Sequence, residues 1–567
     1  MSEKRSWQVE NFKGVEKAEL PLSGLSLLSG ANSAGKSSLT QTLLLLSQSQ
    51  GNDVVLNGPL VRFGSASDVI NEHSEAIEFS WDLPGFHGIA PTKHVDNNVT
   101  AKITLTGPRR TTTTDQTSLV VASVSITRDG VEIFEASNER VKSKTLAARN
   151  PGQIWGDSLL RVRSIEGAAA PNRTYVAFSG LFPSYVLYKA TSAQIARTIR
   201  DQYERYSASS EEYSRWLAQD LLLSYAALLK PPGASEVQHF AGTGAWRRRI
   251  LRLVEEEPPD PGLLDEIIEE LATAVASDDY VAMNLGLTSS FRSSMSFIDR
   301  GMDSVIPESH KAAWSEVLAA FRDLREVATR VRYIGPLREE PQVLSTTGGR
   351  NDSIPAGLRG EYTADLLFRS RNAKVNYHSP AGREKTAPLQ EAVGEWAAWL
   401  GVGESVRVSD QGKLGRGILV VVDGRERDLT TIGVGVSQLL PVITVLLAAP
   451  PGSILVLEQP ELHLHPAIQS RLANFFASAR KDISLVIETH SEYLITRLRR
   501  LNVSSEGSID DLSFLFATPG ERGAVIRPLE IGSLGDINEW PQGFFDTQGE
   551  EERRLLVALG KRAKGQA

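Results

Sequence analysis

Residues 25–37 read Leu-Ser-Leu-Leu-Ser-Gly-Ala-Asn-Ser-Ala-Gly-Lys-Ser, an apolar run that leads into a glycine-rich loop. The part from Gly30 to Ser37 matches the pattern G-x-x-x-x-G-K-[ST]. The chain then continues from Ser38 to Gln48 as SLTQTLLLLSQ, which contains no proline or glycine and predicts a mostly buried helix. This order of strand, loop and helix predicts a phosphate-binding loop in an α/β fold.

The residue types of this loop suit phosphate chemistry. Two glycines let the backbone curl so that several N–H groups and the helix start face the phosphates. Lys36 adds a positive charge, and the Ser37 hydroxyl is a magnesium ligand. A plain glycine turn beside a surface lysine is the alternative. The predicted nucleotide contacts are Gly30, Asn32, Ser33, Ala34, Gly35, Lys36, Ser37 and Ser38.

A second motif, far along the chain, places an acid at the end of another apolar strand. Ser453 to Glu458 reads SILVLE, as expected for a carboxylate that holds magnesium or its water shell opposite the loop. The predicted metal ligands are therefore Ser37 and Glu458. In the following QPELHLHP, His463 and His465 lack a third ligand at metal-site spacing, so loop packing is the favoured interpretation.

A third apolar run, from Ile483 to Ile487, leads into Glu488-Thr489-His490-Ser491. An amphipathic stretch between the two runs predicts strand, helix, strand with buried parallel strands. Ligands bind at the carboxyl ends of such strands, which makes His490 a candidate functional residue.

The region between the motifs has a different pattern. NVTAKITLTG and SLVVASVSI alternate as antiparallel strands do, and LLDEIIEELATAVA predicts a helix. GILVVVDGRERDLTTIG predicts a hairpin with Asp423 and Gly424 at its turn. The sequence therefore predicts one α/β domain whose halves are separated by a long insertion.

Composition excludes several classes of function. The 567 residues include no cysteine, which excludes disulfides, thiolate metal sites and a cysteine nucleophile. The net charge of −8 argues against a general nucleic-acid coat. We expect a cytoplasmic protein without a membrane partner, because the start of the chain lacks the apolar core of a signal peptide and no stretch is apolar enough to span a bilayer.

Together these motifs resemble the ABC-type ATPases of the SMC, RecF and OLD kind, especially the bacterial single-head AAA family ATPases with a small C-terminal domain of unknown function. The resemblance covers both ends of the chain and leaves the insertion unmatched. The matching stretches are NFKGVEKAEL, GANSAGKSSL, LNGPLVRFGSASD, RYIGPLREEP, GVGVSQLLPVI, VLEQPELHLHP, IETHSEYLITRL and WPQGFFD.

The resemblance implies ATP and Mg²⁺ as cofactors and roles for the predicted site. Glu458 would replace the usual Walker B aspartate, and His490 would sense the γ-phosphate. Residues 433–438 resemble a degenerate signature motif facing ATP on the opposite protomer, with Gly435 and Ser437 as contacts; a helix-capping turn is the alternative. Gln459 stands where the catalytic glutamate is usual, which predicts slow hydrolysis with either Gln459 or Glu461 handling the attacking water.

The predicted fold class is α/β, an ABC-type P-loop ATPase head split by a β-then-helical insertion. Its predicted parts are an N-terminal lobe at 1–80, the insertion at 81–330, a C-terminal lobe at 331–500 and an extension at 501–567.

The leading hypothesis is an ATPase that self-associates into a dimer or higher oligomer on ATP and regulates a separately encoded effector, such as a nuclease. The resemblance implies anti-phage defence, as in systems such as Septu. A DNA-repair or DNA-bridging ATPase of the RecF or SMC kind is one alternative, with DNA contacts at Trp246 to Arg249 or at Arg497, Arg499 and Arg500. An OLD-like nuclease is the other, although the stretch after His490 is short for a nuclease domain.

Overall fold

A computed structural model describes most of the chain. The described residues are 5–31, 33–51, 53–83, 98–107, 118–138, 158–166, 168–169, 174–189, 192–207, 222, 248, 250, 261–275, 280–284, 308–345, 351–504, 509, 511–529, 532, 535–537 and 547–563.

The strands of these segments are β1 (Ser6–Phe12), β2 (Val15–Pro21), β3 (Leu25–Gly30), β4 (Ala76–Leu83), β5 (Val99–Thr106), β6 (Val120–Arg128), β7 (Val131–Ser137), β8 (Ser158–Ile165), β9 (Ala168–Ala169), β10 (Tyr175–Ser179), β11 (Phe182–Lys189), β12 (Tyr280–Asn284), β13 (Val331–Ile334), β14 (Lys374–His378), β15 (Glu384–Pro388), β16 (Ser405–Asp410), β17 (Arg416–Val422), β18 (Arg425–Asp428), β19 (Ile454–Glu458), β20 (Ser484–Glu488), β21 (Leu512–Pro519) and β22 (Ala524–Leu529). The helices are α1 (Lys36–Gln48), α2 (Ala66–Val69), α3 (Ser192–Ser207), α4 (Pro261–Val275), α5 (Glu308–Arg330), α6 (Thr363–Ser370), α7 (Leu389–Leu400), α8 (Val434–Ala448), α9 (Pro466–Ser478), α10 (Glu492–Val503) and α11 (Thr547–Ala563).

The two ends of the chain form one parallel unit in the order β13-β19-β20-β3-β21. β3 pairs with β20 between Leu25 and Leu485 and onward to Leu28 and Glu488. The predicted α/β fold class is therefore confirmed, and strands far apart in sequence share one sheet.

Both faces of this parallel unit are covered, which explains the uninterrupted apolar runs of its strands. Alternate side chains enter opposite cores because successive residues of a strand point to opposite faces. Leu28, Val456 and Val486 belong to the core that contains α1 and α5. Leu27, Leu457 and Ile487 belong to the core that contains α7, α8, α9 and α10.

The sheet continues beyond β21 through β22, β2, β1 and β4 into antiparallel strands of the region that the sequence assigns to the insertion. β4, β5, β6, β7 and β8 pair in succession, and β10, β11 and β12 extend the sheet. In the described segments these strands form a single sheet of 17 strands. The four-part division of the chain stays a prediction.

Several local predictions are confirmed by the helices and strands. β5 pairs with β6 in the antiparallel manner, and LLDEIIEELATAV forms α4. The hairpin of β17 and β18 turns at Asp423 and Gly424, whose φ angles of 51° and 68° suit a tight turn between twisted strands. The leucine run after Lys36 forms α1, which is buried along most of its length.

Candidate functional site

The glycine-rich loop has the backbone conformation of an anion-binding cradle. Gly30, Ser33 and Gly35 have φ angles of 140°, 61° and 79°. A Cβ at Gly30 would approach Ala517 O to 3.0 Å, and one at Gly35 would approach Val15 Cγ2 to 3.1 Å. Both glycines are required sterically, and the loop leads directly into the start of α1, where free N–H groups face an anion.

Lys36 lies at the mouth of this cradle and is almost fully buried. Its Nζ donates to Gly30 O at 3.0 Å and to Ala31 O at 2.6 Å. Burial lowers the pKa of the Lys36 ammonium, and the nearby Glu488 carboxylate opposes that shift. The ammonium is therefore held against the loop carbonyls, within reach of a phosphate in the cradle.

Two acids at the ends of neighbouring strands face α1. Glu458 and Glu488 are register partners of β19 and β20, and alternation along the strands turns both toward the α1 core. The Ser37 hydroxyl donates to Glu488 Oε1 at 3.0 Å, although the two residues are 451 positions apart in sequence. Thr40 Oγ1, one turn further along α1, lies 3.5 Å from Glu458 Oε1. Each acid thus faces its own hydroxyl.

These carboxyl groups are buried and repel each other. Burial and the charge of Glu488 raise the pKa of Glu458 to about 7, although hydrogen bonds from Tyr333 and Thr40 oppose the rise. Burial also raises the pKa of Glu488, against the opposing effects of Ser37 and Lys36. Negative charge is therefore concentrated beside the first turn of α1, where a cation would relieve it.

Several buried polar atoms at this edge lack hydrogen-bond partners: Arg338 Nε and Nη2, Glu461 Oε2 and Glu488 Oε2. Arg338 donates through Nη1 to Gly335 O and, at 3.3 Å, to Glu458 O. Burial lowers the pKa of Arg338 to about 10, opposed by the charges of Tyr333, Glu458 and Glu461. Unpartnered buried groups are costly, and their concentration here indicates that a ligand or water completes the site.

The turn after β19 is tied to the end of β20 by its backbone. Gln459 has a φ of 44°, and its N–H donates to Glu488 O at 2.8 Å. Glu461 Oε1 accepts the N–H of His490 at 2.8 Å, and burial raises the pKa of Glu461. Partial desolvation and the charge of Lys36 lower the pKa of His490, whose side chain remains exposed. The structure brings all four predicted catalytic residues to this edge.

The signature-like residues lie at the start of α8, where Gly433 and Val434 are exposed and Ser437 is buried. The Ser437 hydroxyl donates to Val434 O at 2.8 Å. A Cβ at Gly435 would lie 3.5 Å from His463 O, so this helix start packs beside the turn that follows β19. Free N–H groups at a helix start favour an anion.

The two histidines after β19 lie in the segment that connects this strand to α9. His463 is exposed with a φ of 61°. His465 is the residue before α9, and its Nδ1 accepts the N–H of Ala467 at 3.3 Å. Among the residues that the structure describes, no three His, Asp or Glu side chains converge as a metal site.

Some predicted residues lie outside the described part of the chain: Asn32 in the loop, and Trp246, Arg247 and Arg249 among the DNA candidates. Two other DNA candidates have structural partners. Arg497 Nε donates to Asn474 Oδ1 at 2.8 Å, and Arg499 donates to Gly535 O at 2.9 and 2.7 Å.

The sequence motifs assign no role to Glu488. The sequence does contain a signal, since a second apolar strand ends in an acid as Glu458 does. For Arg338, the sequence allows a contact with nucleotide or an adjoining domain, or a structural salt bridge. Nothing in its local sequence indicates that it lies against the backbone of Glu458.

Residues 352–496 match the family described as "AAA domain, putative AbiEii toxin, Type IV TA system". The matched residues cover about a quarter of the chain, include β19 and β20, and end upstream of β21. Strand β3, which leads into the glycine-rich loop, pairs with β20 of the matched segment. This combination indicates a nucleotide-binding ATPase.

Solved structures similar to this chain include SMC heads. The Smc head domain with an extended coiled coil, bound to the C-terminal domain of ScpA from Pyrococcus furiosus, is 12% identical, with 99% of this chain and all of that chain covered and a TM-score of 0.35. The SMC head domain from Thermotoga maritima is 9% identical, with 93% and 100% covered and a TM-score of 0.31. The comparison with curated proteins found no match. Because these TM-scores are low, the proposed function depends on the side chains of this chain.

No helix in the described segments combines the length and the apolar character needed to cross a membrane.

Proposed function

We propose that this chain binds ATP with Mg²⁺ at the carboxyl edge of its parallel sheet and hydrolyses it slowly. One observation carries the proposal. The cradle at Gly30 and Gly35 holds the Lys36 ammonium at its mouth and sets the Ser37 hydroxyl against a buried carboxylate.

The residues present fit this cofactor. Backbone N–H groups of the loop and the Lys36 ammonium bind the phosphates. Ser37 and a carboxylate at the end of β19 or β20 would hold Mg²⁺, whose charge offsets that of the phosphates. The unpartnered Glu488 Oε2 is a hard oxygen atom of the kind that this ion prefers.

Slow hydrolysis follows from the groups near the turn after β19. The Gln459 amide orients a water molecule but cannot accept its proton. The Glu461 carboxylate is buried, and its Oε1 already accepts the N–H of His490. Only its second oxygen, Oε2, is left to accept a proton from water. His490 presents an exposed ring at the same edge and is proposed to contact the γ-phosphate.

We further propose that ATP drives self-association in the cytoplasm and that the assembled form controls a separate effector. The start of α8, where Gly433 and Val434 are exposed, supports contact with ATP on a second protomer near Gly435 and Ser437, because free N–H groups at a helix start favour an anion. The resemblance to the ATPase subunits of systems such as Septu supports an effector, such as a nuclease, and a role in anti-phage defence.

Calorimetric titration of ATP with magnesium tests the nucleotide site. We expect Lys36→Ala to weaken ATP binding by at least about 100-fold, since it removes a charged donor from the phosphates. Lys481→Ala is the matched control, because Lys481 is an exposed lysine beside the opposite edge of the same sheet. Unchanged affinity in Lys36→Ala, or an equal loss in Lys481→Ala, would contradict the assignment.

A further inference from the structure

The first turns of α1 present two hydroxyls to two carboxylates, and the pairing is specific. Ser37 lies in the first turn of α1, directly beside the phosphate cradle, and its hydroxyl donates to Glu488 at 3.0 Å. Thr40 lies one turn deeper, and its nearest approach to Glu458 is 3.5 Å. Because one helical turn rises about 5 Å, the two hydroxyls lie at different distances from the phosphate cradle.

The two carboxylates also differ in the partners of their oxygen atoms. Glu458 interacts with the Tyr333 hydroxyl, which favours its charged form, in addition to its 3.5 Å approach to Thr40. Glu488 is 3% exposed, and its Oε2 has no hydrogen-bond partner. A buried carboxylate oxygen without a partner carries the cost of desolvation until a ligand occupies it. Of the pair, Glu488 is the one that has a buried oxygen without a partner and a hydrogen bond to the residue beside the cradle.

We infer that Glu488, and not Glu458, supplies the carboxylate that holds the Mg²⁺ of bound ATP opposite Ser37. This inference rests on the proposed nucleotide site and reassigns the ligand that the order of motifs predicts. Glu488 contacts the ion or one of the waters that Mg²⁺ retains, and Glu458 anchors α1 through Thr40 and β13 through Tyr333.

Magnesium-dependent affinity separates the two acids. ATP is titrated calorimetrically with Mg²⁺ and then with EDTA, in the wild type and in Glu488→Gln, Glu458→Gln and Glu384→Gln. The last variant is a matched control at an exposed position on β15. We expect Mg²⁺ to tighten ATP binding in the wild type by at least about tenfold, and Glu488→Gln to lose this gain. Glu458→Gln retains most of it, and Glu384→Gln retains all of it.

A second measurement does not depend on heat or turnover. Electron paramagnetic resonance of free Mn²⁺, in the presence of ATP and protein, reports how much ion is bound. Glu488→Gln should release Mn²⁺ that the wild type retains, and Glu488→Asp should restore part of the binding, because it keeps a carboxylate. Circular dichroism checks that each variant is folded.

These measurements distinguish a failure of the metal assignment from a failure of the proposed nucleotide site. Retention of the magnesium gain in Glu488→Gln, or an equal loss in Glu458→Gln, would overturn the assignment while leaving the nucleotide site intact. A wild type that binds no ATP with or without magnesium would instead overturn the proposed function.

Discussion

The two edges of the parallel sheet are formed by the same strands, but they differ in whether their polar and charged groups have partners. The amino-terminal edge borders a cavity of about 410 Å³ lined by the first residues of β3, β19 and β20. There Arg480 donates to both oxygens of Asp482 at 2.6 and 2.8 Å and to Leu447 O at 2.9 Å. Arg5 pairs with Asp323 at 2.8 Å. These four charged groups are therefore paired with one another.

The carboxyl-terminal edge keeps buried polar atoms without partners, on Arg338, Glu461 and Glu488. In the segments that the structure describes, no residue lining the cavity at the other edge has such an atom. The strands and cores are shared, so packing alone does not explain the difference. One edge therefore completes its own polar contacts, whereas the other has buried polar atoms that a ligand can bind.

The largest expected effect is on stability and belongs to the amino-terminal edge. Arg480→Ala should lower the free energy of unfolding by about 2–4 kcal/mol, since it removes a buried guanidinium that makes a bidentate ion pair with Asp482 and a bond to Leu447 O. Urea denaturation followed by circular dichroism measures this loss, with the exposed Arg383→Ala as control. ATP affinity should remain within about twofold. A stable Arg480→Ala variant that no longer binds ATP would break the contrast between the edges.

The second effect concerns the pH dependence of stability without nucleotide, in EDTA. The folded-state pKa of Glu458, about 7, lies above its ordinary value of 4.5, so the folded protein binds more protons between these pH values. Stability therefore falls as pH rises through this window. Glu458→Gln should remove that contribution. Between pH 4.5 and pH 8, the free energy of unfolding of the variant should therefore rise by about 2–3 kcal/mol relative to that of the wild type. Parallel stability curves for the two proteins would contradict it.

The third effect concerns turnover at the turn after β19. Gln459→Glu restores a carboxylate next to the attacking water and should raise the rate of ATP hydrolysis by at least about tenfold, with ATP affinity nearly unchanged. Phosphate release measures the rate, and calorimetry measures the affinity. If Gln459→Glu slows turnover and Glu461→Ala has no effect, Gln459 does not occupy the catalytic position.

The smallest effect is on assembly at the start of α8. Val434→Arg should weaken ATP-dependent self-association by roughly tenfold, since Val434 is 52% exposed and the variant places bulk and charge at the proposed contact. Sedimentation velocity with and without ATP measures it, and Ser67→Arg on the exposed surface of α2 is the control. A wild type that stays monomeric while hydrolysing ATP at full rate would exclude the proposed assembly.

Much of the site could be predicted because its determinants are local. The phosphate loop depends on its own backbone conformation at Gly30 and Gly35 and on the helix that begins at Lys36. Both are determined by consecutive residues. The parallel strands were predictable for the same reason, because burial on both faces requires uninterrupted apolar runs.

The role of Glu488 was not predictable from the same patterns. Which acid meets Ser37 depends on the register between β3, β19 and β20 and on the depth of each hydroxyl along α1. These are tertiary relations between residues hundreds of positions apart. Arg338 is similar, since its contact with Glu458 O depends on a loop that returns to the sheet edge.

The most direct test of the central claim is a crystal structure of the chain with Mg²⁺ and a non-hydrolysable ATP analogue. We predict the triphosphate in the cradle of residues 30–37, with the Lys36 ammonium on the phosphates and the metal between Ser37 and Glu488. The amino-terminal cavity beside Arg480 should hold no nucleotide. A triphosphate bound in that cavity, or a cradle that stays closed over Lys36 at saturating ligand, would contradict the account.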